Sequence, residues 1–198
     1  MKVIIVTGKL QSGKSTVSET LKGTLKEKYT VGRISFSQSL STVLDLFGID
    51  KERRNYSSLS TILKDTYGED ILRKAVLIQL ESAGEFDYVF IDGARYPADI
   101  DILEQFKPII IGVQATEETR FQRARAAGKD GYQTLGELRA AEAMETEGDI
   151  DSLLERADII IKNDGGLEEL GTELLEVLRQ LQQETTEIKQ EIKPFKLK

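Results

Sequence analysis

Residues 1–16 read MKVIIVTGKLQSGKST, an apolar run that passes directly into a glycine-rich turn. The apolar run is rich in Val and Ile, which is typical of a strand buried on both faces. Apolar residues then recur at every fourth position, at Val17, Leu21 and Leu25, which predicts a helix over residues 15–28. The N-terminal sequence therefore predicts a buried strand, a tight turn and a helix.

The turn matches the pattern G-x-x-x-x-G-K-[ST]. Its glycines permit backbone angles that aim successive N–H groups at one point, and the following helix adds its positive dipole end. The lysine can reach the β- and γ-phosphates of a nucleoside triphosphate, and the serine hydroxyl can ligate Mg²⁺. We therefore expect ATP and Mg²⁺ as cofactors. The expected nucleotide-binding residues are Gly8, Gln11, Ser12, Gly13, Lys14, Ser15 and, toward the α-phosphate, Thr16.

Composition restricts the remaining chemistry. The 198 residues suit one domain and include neither cysteine nor histidine. Their absence excludes disulfides, thiol or imidazole catalysis, and metal sites built from Cys or His. Acid–base chemistry must therefore use carboxylates, and charge stabilisation must use Lys, Arg or a hard cation.

Charge and hydropathy restrict the partners. The formal net charge is −7, which argues against general nucleic-acid binding, so any phosphate must be held by a local cluster of cations. No apolar run reaches the roughly 18 residues that a membrane-spanning helix needs. We expect a cytoplasmic protein whose partners are small-molecule nucleotides, with no nucleic acid and no membrane.

Further Val- and Ile-rich runs alternate with helical patterns along the chain. Fully apolar strands that alternate with helices predict an α/β domain with a parallel sheet. Residues 128–148 contain four glycines and few large apolar residues, which predicts an exposed, mobile excursion. The other predicted elements are strands over residues 30–35, 88–91, 108–113 and 157–161, and helices over 39–47, 59–80, 97–106, 117–127 and from 167 onward.

An acidic and a basic residue follow the strand at residues 88–91. In a parallel sheet the carboxyl ends of the strands line the ligand crevice. Asp92 can therefore take part in the coordination shell of Mg²⁺ or act as a base toward an acceptor. The alternative is a helix N-cap, a common role for Asp. Arg95 can grip a second phosphate in bidentate fashion, or it is simply a solvated surface residue.

The helix over residues 117–127 is rich in arginine. Arg120 and Arg123 share one of its faces, and such arginines can close over a transferring phosphoryl group and spread its charge. The alternative is a solvated helix whose arginines pair with Glu117 and Glu118. A further basic group at residues 51–54 could reach an acceptor or could be a solvated loop.

Other phosphate-loop classes lack support in the sequence. The letters DTYG at residues 65–68 match the D-x-x-G of GTPases, but they lie in a polar, helical context. Residues 162–164 read KND rather than the guanine-reading N-K-x-D, and no LSGGQ-like stretch of an ABC-type ATPase is present. A small-molecule kinase is the interpretation that the loop position and chain length favour.

Four later segments extend this interpretation. Residues 34–50 (ISFSQSLSTVLDLFGID) resemble F-A-D-P-L-K…F-G, and residues 53–71 resemble an R…L-Q-x-L-G-T helix. Residues 90–103 (FIDGARYPADIDIL) resemble D-x-R-F-P-N-E, and residues 156–170 resemble A-D-x-x-I-x-N-x-G-x-x-E-E-L. With the glycine loop, the chain resembles the nucleoside-monophosphate-kinase-like group, and looks most like deoxynucleoside monophosphate kinases, with dephospho-CoA kinase a close relative.

The resemblance implies a three-layer P-loop NTPase fold, with a five-stranded parallel sheet flanked by helices. Residues 1–181 would form the kinase domain, with an acceptor-binding insert over about 36–80 and a lid over about 125–150. Residues 182–198 would form a helical or frayed tail. Carried over by position, Asp92 and Arg95 would serve the acceptor, Arg120 or Arg123 would belong to the lid, and residues 163–166, which begin with Asn163, would lie near the adenine. Taken together with the chemistry of the residues, the expected catalytic residues are Lys14, Asp92, Arg120 and Arg123, the expected metal ligands Ser15 and Asp92, and the expected acceptor residues Phe36, Arg54 and Arg95.

The sequence departs from the family's pattern at two positions and in one spacing. The Asp and Lys of F-A-D-P-L-K are Gln38 and Ser41 here, and the acid-to-arginine spacing is D-x-x-R rather than D-x-R. The sequence therefore leaves three alternatives to a nucleoside monophosphate kinase: dephospho-CoA kinase, an ATPase, and a nucleotide-binding protein with little turnover.

Apolar residues in the C-terminal helix form a heptad-like seam. One interpretation is a terminal helix that packs its stripe on its own domain up to about Leu181. The other is a tail that pairs with a second subunit, so the sequence allows a monomer or a homodimer. The seam consists of Leu174, Leu178, Leu181, Ile188, Ile192 and Phe195.

Overall fold

A computed structural model of the protein describes residues 1–126, 132–144 and 149–191, apart from the side chains of residues 53, 144 and 184–191. In these residues, five parallel strands form one sheet in the order β2-β3-β1-β4-β5. The strands are β1 (Lys2–Thr7), β2 (Val31–Ser35), β3 (Tyr88–Asp92), β4 (Ile109–Gln114) and β5 (Ile159–Lys162). The predicted parallel sheet is confirmed, and the strand that precedes the glycine loop lies at its centre.

Side-chain alternation along β1 supplies two separate cores. Ile4 and Val6 point into one apolar cluster, and Val3 and Ile5 point into the other. Because successive residues of a strand face opposite sides of the sheet, a strand covered on both faces must be apolar throughout. The Val/Ile-rich N-terminal run is therefore the direct consequence of its central position.

Helices cover both faces of the sheet and make the fold three-layered. Helices α1 and α9 pack on one face, and α4, α5 and α8 pack on the other. Among the described residues, no helix is both long and apolar enough to cross a bilayer. The α-helices are α1 (Lys14–Leu25), α2 (Gln38–Leu46), α3 (Arg53–Tyr67), α4 (Ile71–Glu81), α5 (Pro97–Asp101), α6 (Glu117–Ala126), α7 (Leu135–Met144), α8 (Ile150–Glu155) and α9 (Leu167–Glu191), and a short 3₁₀ helix spans Glu104–Phe106.

The region after β2 contains one more helix than the sequence predicted. The prediction of a single helix over residues 59–80 was wrong, because α3 ends at Tyr67 and α4 begins at Ile71. Gly68 adopts a φ of 95° between them, and its N–H donates to the carbonyl of Lys64 at 2.8 Å. A glycine in this conformation stops a helix even where the apolar periodicity continues.

The stretch predicted as an exposed excursion contains helix α7. Thr134 and Glu137 cap its start reciprocally, because the Glu137 N–H donates to Thr134 Oγ1 at 3.2 Å and the Thr134 N–H donates to Glu137 Oε2 at 3.1 Å. Leu138 is fully buried. The sequence analysis did not predict this helix, and the flanking parts of the excursion, residues 127–131 and 145–148, lie outside the described residues.

The C-terminal helix packs on its own domain. Leu174, Leu178 and Leu181 are buried in the cluster that also contains the apolar face of α1. This confirms the first interpretation of the seam as far as Leu181. The rest of the seam, which was considered as a pairing surface, falls on side chains outside the described residues.

Candidate functional site

The phosphate loop, residues 8–16, joins β1 to α1 through unusual backbone angles. Gly8 has a φ of 153° and Gly13 a φ of 97°, and Gln11 has a φ of 59° although it is not a glycine. Such a left-handed conformation costs a non-glycine residue about 1–2 kcal/mol and is found where the surrounding structure enforces it. The positive φ values of Gly8 and Gly13 therefore confirm the prediction that both ends of the loop require glycine.

Close approach is a second reason for glycine at these two positions. A Cβ atom on Gly8 would lie 2.3 Å from the carbonyl oxygen of Val113 in β4. A Cβ atom on Gly13 would lie 2.2 Å from the Nδ2 atom of Asn163, which directly follows β5. The loop is thus packed against the ends of the strands on one side of β1.

The start of α1 places backbone N–H donors and the Lys14 ammonium group at the loop. The first intrahelical bond joins the Val17 N–H to the Gly13 carbonyl at 3.0 Å, so the preceding amides have no partner within the helix. Lys14 Nζ bonds back to the Lys9 carbonyl at 2.9 Å, which holds the ammonium group at the loop. Ser15 and Thr16 are exposed in the first turn. A helix start of this kind is a ready anion site.

Asn163 fastens the phosphate loop to the sheet. Its Nδ2 donates to the Ser12 carbonyl at 2.8 Å, and its own N–H donates to the Gln114 carbonyl at 2.7 Å. The residue is 6% exposed. The resemblance implies a position near the adenine, whereas the structure shows the amide in contact with the loop backbone.

The two arginines predicted on one face of α6 both lie against the phosphate loop. Arg123 donates to the Ser12 carbonyl at 3.5 Å and to Asn163 Oδ1 at 3.3 Å. Arg120 is buried, donates to the Leu10 carbonyl at 3.3 Å and forms an ion pair with Glu142 of α7. We call Ser12, Asn163 and Arg123 the loop clamp.

The alternative of a solvated arginine helix fails for these two residues. Glu117 pairs with Arg139 of α7 at 2.6 Å, and this hydrogen bond lowers the pKa of the Glu117 carboxyl. Glu118 accepts a hydrogen bond from Gln122 at 2.8 Å. Two ion pairs therefore connect α6 with α7, and the sequence analysis missed both partners on α7.

Asp92 lies at the end of β3, on the face of the sheet that α1 covers. Tyr88 and Phe90 point into the α1 side of the core, and the alternation along the strand places Asp92 on the same side. Its carboxylate forms an ion pair with Arg33 of β2. The N-cap alternative is wrong, because α5 begins only at Pro97. The hydrogen bond with Asp92 raises the pKa of Arg33, a residue that the sequence analysis missed.

The turn that carries Arg95 is held by a buried carboxylate. Asp99 accepts hydrogen bonds from the N–H groups of Arg95 and Tyr96 at 2.9 and 3.1 Å, and it forms an ion pair with Arg73 of α4 at 2.8 Å. The Arg95 side chain is exposed and makes no hydrogen bond within the described residues. The guanidinium is thus available to a ligand beside the end of β3.

The other two predicted acceptor residues differ in position. Phe36 is half-buried and donates its N–H to the Asp92 carbonyl at 3.2 Å, so it borders the strand ends. Arg54 is 79% exposed and pairs with Glu52 at 2.9 Å. Among the described contacts, none joins Arg54 to the strand ends, and its acceptor role stays a prediction.

Two oxygen donors on the α1 side of the sheet suit a hard cation with few protein ligands. Ser15 supplies a hydroxyl at the start of α1, and Asp92 supplies a carboxylate on the same face of the sheet. Within the described parts of the chain, no group of three His, Cys, Asp or Glu residues could hold a metal. Mg²⁺ retains several waters and binds through one or two protein oxygens plus phosphates, so these two residues fit it.

A cleft of about 450 Å³ lies beside the phosphate loop at the ends of β4 and β5. Lys9 and Asp151 pair across it at 2.7 Å. Asp164 accepts a hydrogen bond from the Thr116 N–H at 2.6 Å, which lowers the pKa of its carboxyl. The polar groups that line the cleft are therefore largely paired with one another.

Sequence comparison relates the chain to two archaeal proteins. No family model matches it. It is 26% identical over 181 residues to a "UPF0200 protein" of Hyperthermus butylicus. The aligned region covers 90% of this chain and 94% of that protein. It is 24% identical over 189 residues to a "UPF0200/UPF0201 protein" of Archaeoglobus fulgidus. The aligned region covers 91% of this chain and 56% of that protein.

Structural comparison relates the chain to small-molecule kinases. A shikimate kinase from Bacteroides thetaiotaomicron matches with a TM-score of 0.57 and 16% identity, over 91% of this chain and 98% of that one. The chain has the P-loop kinase fold. A gluconokinase from Sinorhizobium meliloti matches with a TM-score of 0.53 and 17% identity, over 91% of this chain and 93% of that one. At these identities the likeness concerns the fold alone.

The loop clamp predicts a distinctive effect of Asn163→Ala. Loss of a buried hydrogen bond costs about 1–3 kcal/mol, so affinity for ATP should fall about 5- to 100-fold. Because the amide holds the loop rather than the base, affinity for inorganic tripolyphosphate should fall by the same factor. Calorimetric titration with both ligands measures this.

Asn55→Ala is the matched control, since among the described contacts its amide bonds to the Asp50 carbonyl at 2.7 Å and not to the phosphate loop. This variant should bind both ligands as the unsubstituted protein does. A loss in Asn163→Ala that is confined to ATP would instead place the side chain at the base and contradict the clamp.

Proposed function

We propose that the protein is an ATP- and Mg²⁺-dependent kinase for a small phosphorylated acceptor, most closely a nucleoside or deoxynucleoside monophosphate. The observation that carries the proposal is the convergence of two arginines of α6 on the phosphate loop. Arg120 contacts the Leu10 carbonyl and Arg123 contacts the Ser12 carbonyl. Arginines that reach a phosphate-binding loop suit phosphoryl transfer, in which positioning and charge stabilisation do most of the work.

On the donor side, the proposal assigns the triphosphate to the loop amides and Lys14. The Lys14 ammonium already lies at the loop, bonded to the Lys9 carbonyl at 2.9 Å, and can exchange that carbonyl for phosphate oxygens. Ser15 and Asp92 would hold Mg²⁺, which when bound neutralises charge on the β- and γ-phosphates. Arg120 and Arg123 would then stabilise the equatorial oxygens of the transferring group.

On the acceptor side, the assignment of Asp92 to Mg²⁺ favours a phosphate nucleophile. An acceptor phosphate oxygen attacks the γ-phosphorus while the bond to the β–γ bridging oxygen breaks, and no base is needed because the oxygen is already ionised. A hydroxyl acceptor, as in the dephospho-CoA kinase alternative, must lose a proton. In this proposal Asp92 holds Mg²⁺, so the carboxylate that was considered as a base is not available to take that proton. Arg95 would grip the acceptor phosphate.

A nucleotide-binding protein with little turnover is the second candidate. The observation that favours it is the uncharged start of α2, where Gln38 and Ser41 stand in place of an acid and a lysine. Nothing in the phosphate loop itself distinguishes the two candidates, because both require the same donor site.

One panel of assays tests the proposal. ADP formation from ATP is measured with each nucleoside monophosphate, each deoxynucleoside monophosphate, dephospho-CoA, or no acceptor. The proposal predicts turnover that one of the monophosphates stimulates. Stimulation by dephospho-CoA alone would select the other kinase, equal turnover without any acceptor would indicate an ATPase, and tight ATP binding without turnover would favour the binding protein.

Arg95→Ala gives a test of the acceptor side. A hydrogen bond to a charged group contributes about 1.5–3 kcal/mol, so the KM for the acceptor should rise about 10- to 100-fold while the KM for ATP stays within about twofold. Steady-state kinetics with each substrate varied in turn measures the two values.

The control is Arg179→Ala, which removes an exposed guanidinium on α9 that pairs with Glu176 at 3.1 Å. It should change neither KM. If Arg95→Ala raised both KM values equally, Arg95 would not be an acceptor residue.

A further inference from the structure

A row of charged side chains runs along the α1 face of the sheet toward the strand ends. The first member is Lys22 of α1, which is buried and pairs with Glu19 at 2.7 Å. Its ammonium group lies 5.9 Å from the centre of the Phe90 ring. Arg33 is the next cation, and it forms an ion pair with Asp92. The carboxylate proposed as a metal ligand therefore already has a counter-ion within the chain.

Arg33 reaches this carboxylate from the middle of β2. Its register partner in β3 is Phe90, whereas Asp92 pairs with Ser35, so the arginine side chain extends toward the carboxyl end of the sheet. Its side chain is 59% exposed, and that of Asp92 is 24% exposed. A pair with one partner as exposed as Arg33 is weak, because that charge remains hydrated and salt screens it.

We propose that Arg33 is an exchangeable counter-ion, which holds Asp92 in the nucleotide-free protein and yields it to Mg²⁺ when the metal–nucleotide complex binds. The inference rests on the proposed function for the assignment of Asp92 to the metal. It adds that a residue outside the phosphate loop sets how strongly the site holds the metal.

The charges of the groups decide whether Arg33 strengthens or weakens metal binding at Asp92. A divalent ion attracts a carboxylate more strongly than a guanidinium does, and the two cations repel one another at the same carboxylate. Arg33 therefore opposes metal binding at Asp92. Once released, its guanidinium stays beside the same strand ends as Arg95, so an anionic acceptor that arrives after the metal finds two cations there.

The experiment measures what the metal adds to nucleotide affinity. A mant-labelled β,γ-imido analogue of ATP is titrated into the protein with Mg²⁺ and with EDTA, and the ratio of the two dissociation constants gives the contribution of the metal. In Arg33→Met this ratio should rise about two- to fivefold, as expected for the loss of a weak exposed pair. The increase should shrink as the salt concentration rises.

Three further variants separate the possible outcomes. Arg179→Met removes another exposed, paired arginine, from α9, and should leave the ratio unchanged. Asp92→Asn should lower the ratio, and Arg33→Met should have no effect when it is added to Asp92→Asn, because the two residues act through one contact. Thermal melting of each variant checks that the fold is retained.

An unchanged or lowered ratio in Arg33→Met would overturn the inference and leave the proposed kinase intact. An effect of Arg33→Met that persists in the Asp92→Asn background would also overturn it. Failure of the unsubstituted protein to bind the analogue in Mg²⁺ would overturn the proposed function, and the inference with it.

Discussion

The candidate site depends on the close approach of Asn163 to the phosphate loop. The Asn163 amide bonds to the Ser12 carbonyl at 2.8 Å, and this leaves space only for a hydrogen atom on the neighbouring Gly13. The contact couples the end of an outer strand to the loop that follows the central strand. Through it, the arginine of α6 that bonds to Asn163 is also placed at the loop, so one amide aligns three elements of the fold.

The charge distribution of the site differs from that of the whole chain. The formal net charge is −7, yet Lys14 and Arg123 lie at the loop, bonded to the carbonyls of Lys9 and Ser12. Arg120 contacts the Leu10 carbonyl and also pairs with Glu142. Carbonyl groups are neutral, so these carbonyl contacts hold Lys14 and Arg123 in place without cancelling their charge, whereas Glu142 offsets the charge of Arg120. An acidic protein can in this way present a local site for a polyanion.

The sequence predicted what depends on local patterns. Continuous Val/Ile runs identified buried strands, and the glycine–lysine pattern located the loop, because each signal lies within a few neighbouring residues. The ion pairs of Arg33 with Asp92 and of Arg120 with Glu142 join residues 59 and 22 positions apart, and periodicity carries no information on such pairs. Helix α7 was missed for another reason: its cap at Thr134 and Glu137 is a local signal that the glycines nearby obscured.

The central claim is that the phosphate loop binds the triphosphate of a nucleotide through Lys14. Isothermal titration of Mg²⁺–ATP into Lys14→Ala tests it most directly, with Lys28→Ala, an exposed lysine after α1, as the control. We expect binding to the unsubstituted protein and to the control, and a loss of at least about tenfold in Lys14→Ala, since a hydrogen bond to a charged group contributes about 1.5–3 kcal/mol. The melting temperature should change little. Equal affinity of Lys14→Ala and Lys28→Ala for Mg²⁺–ATP would contradict the account.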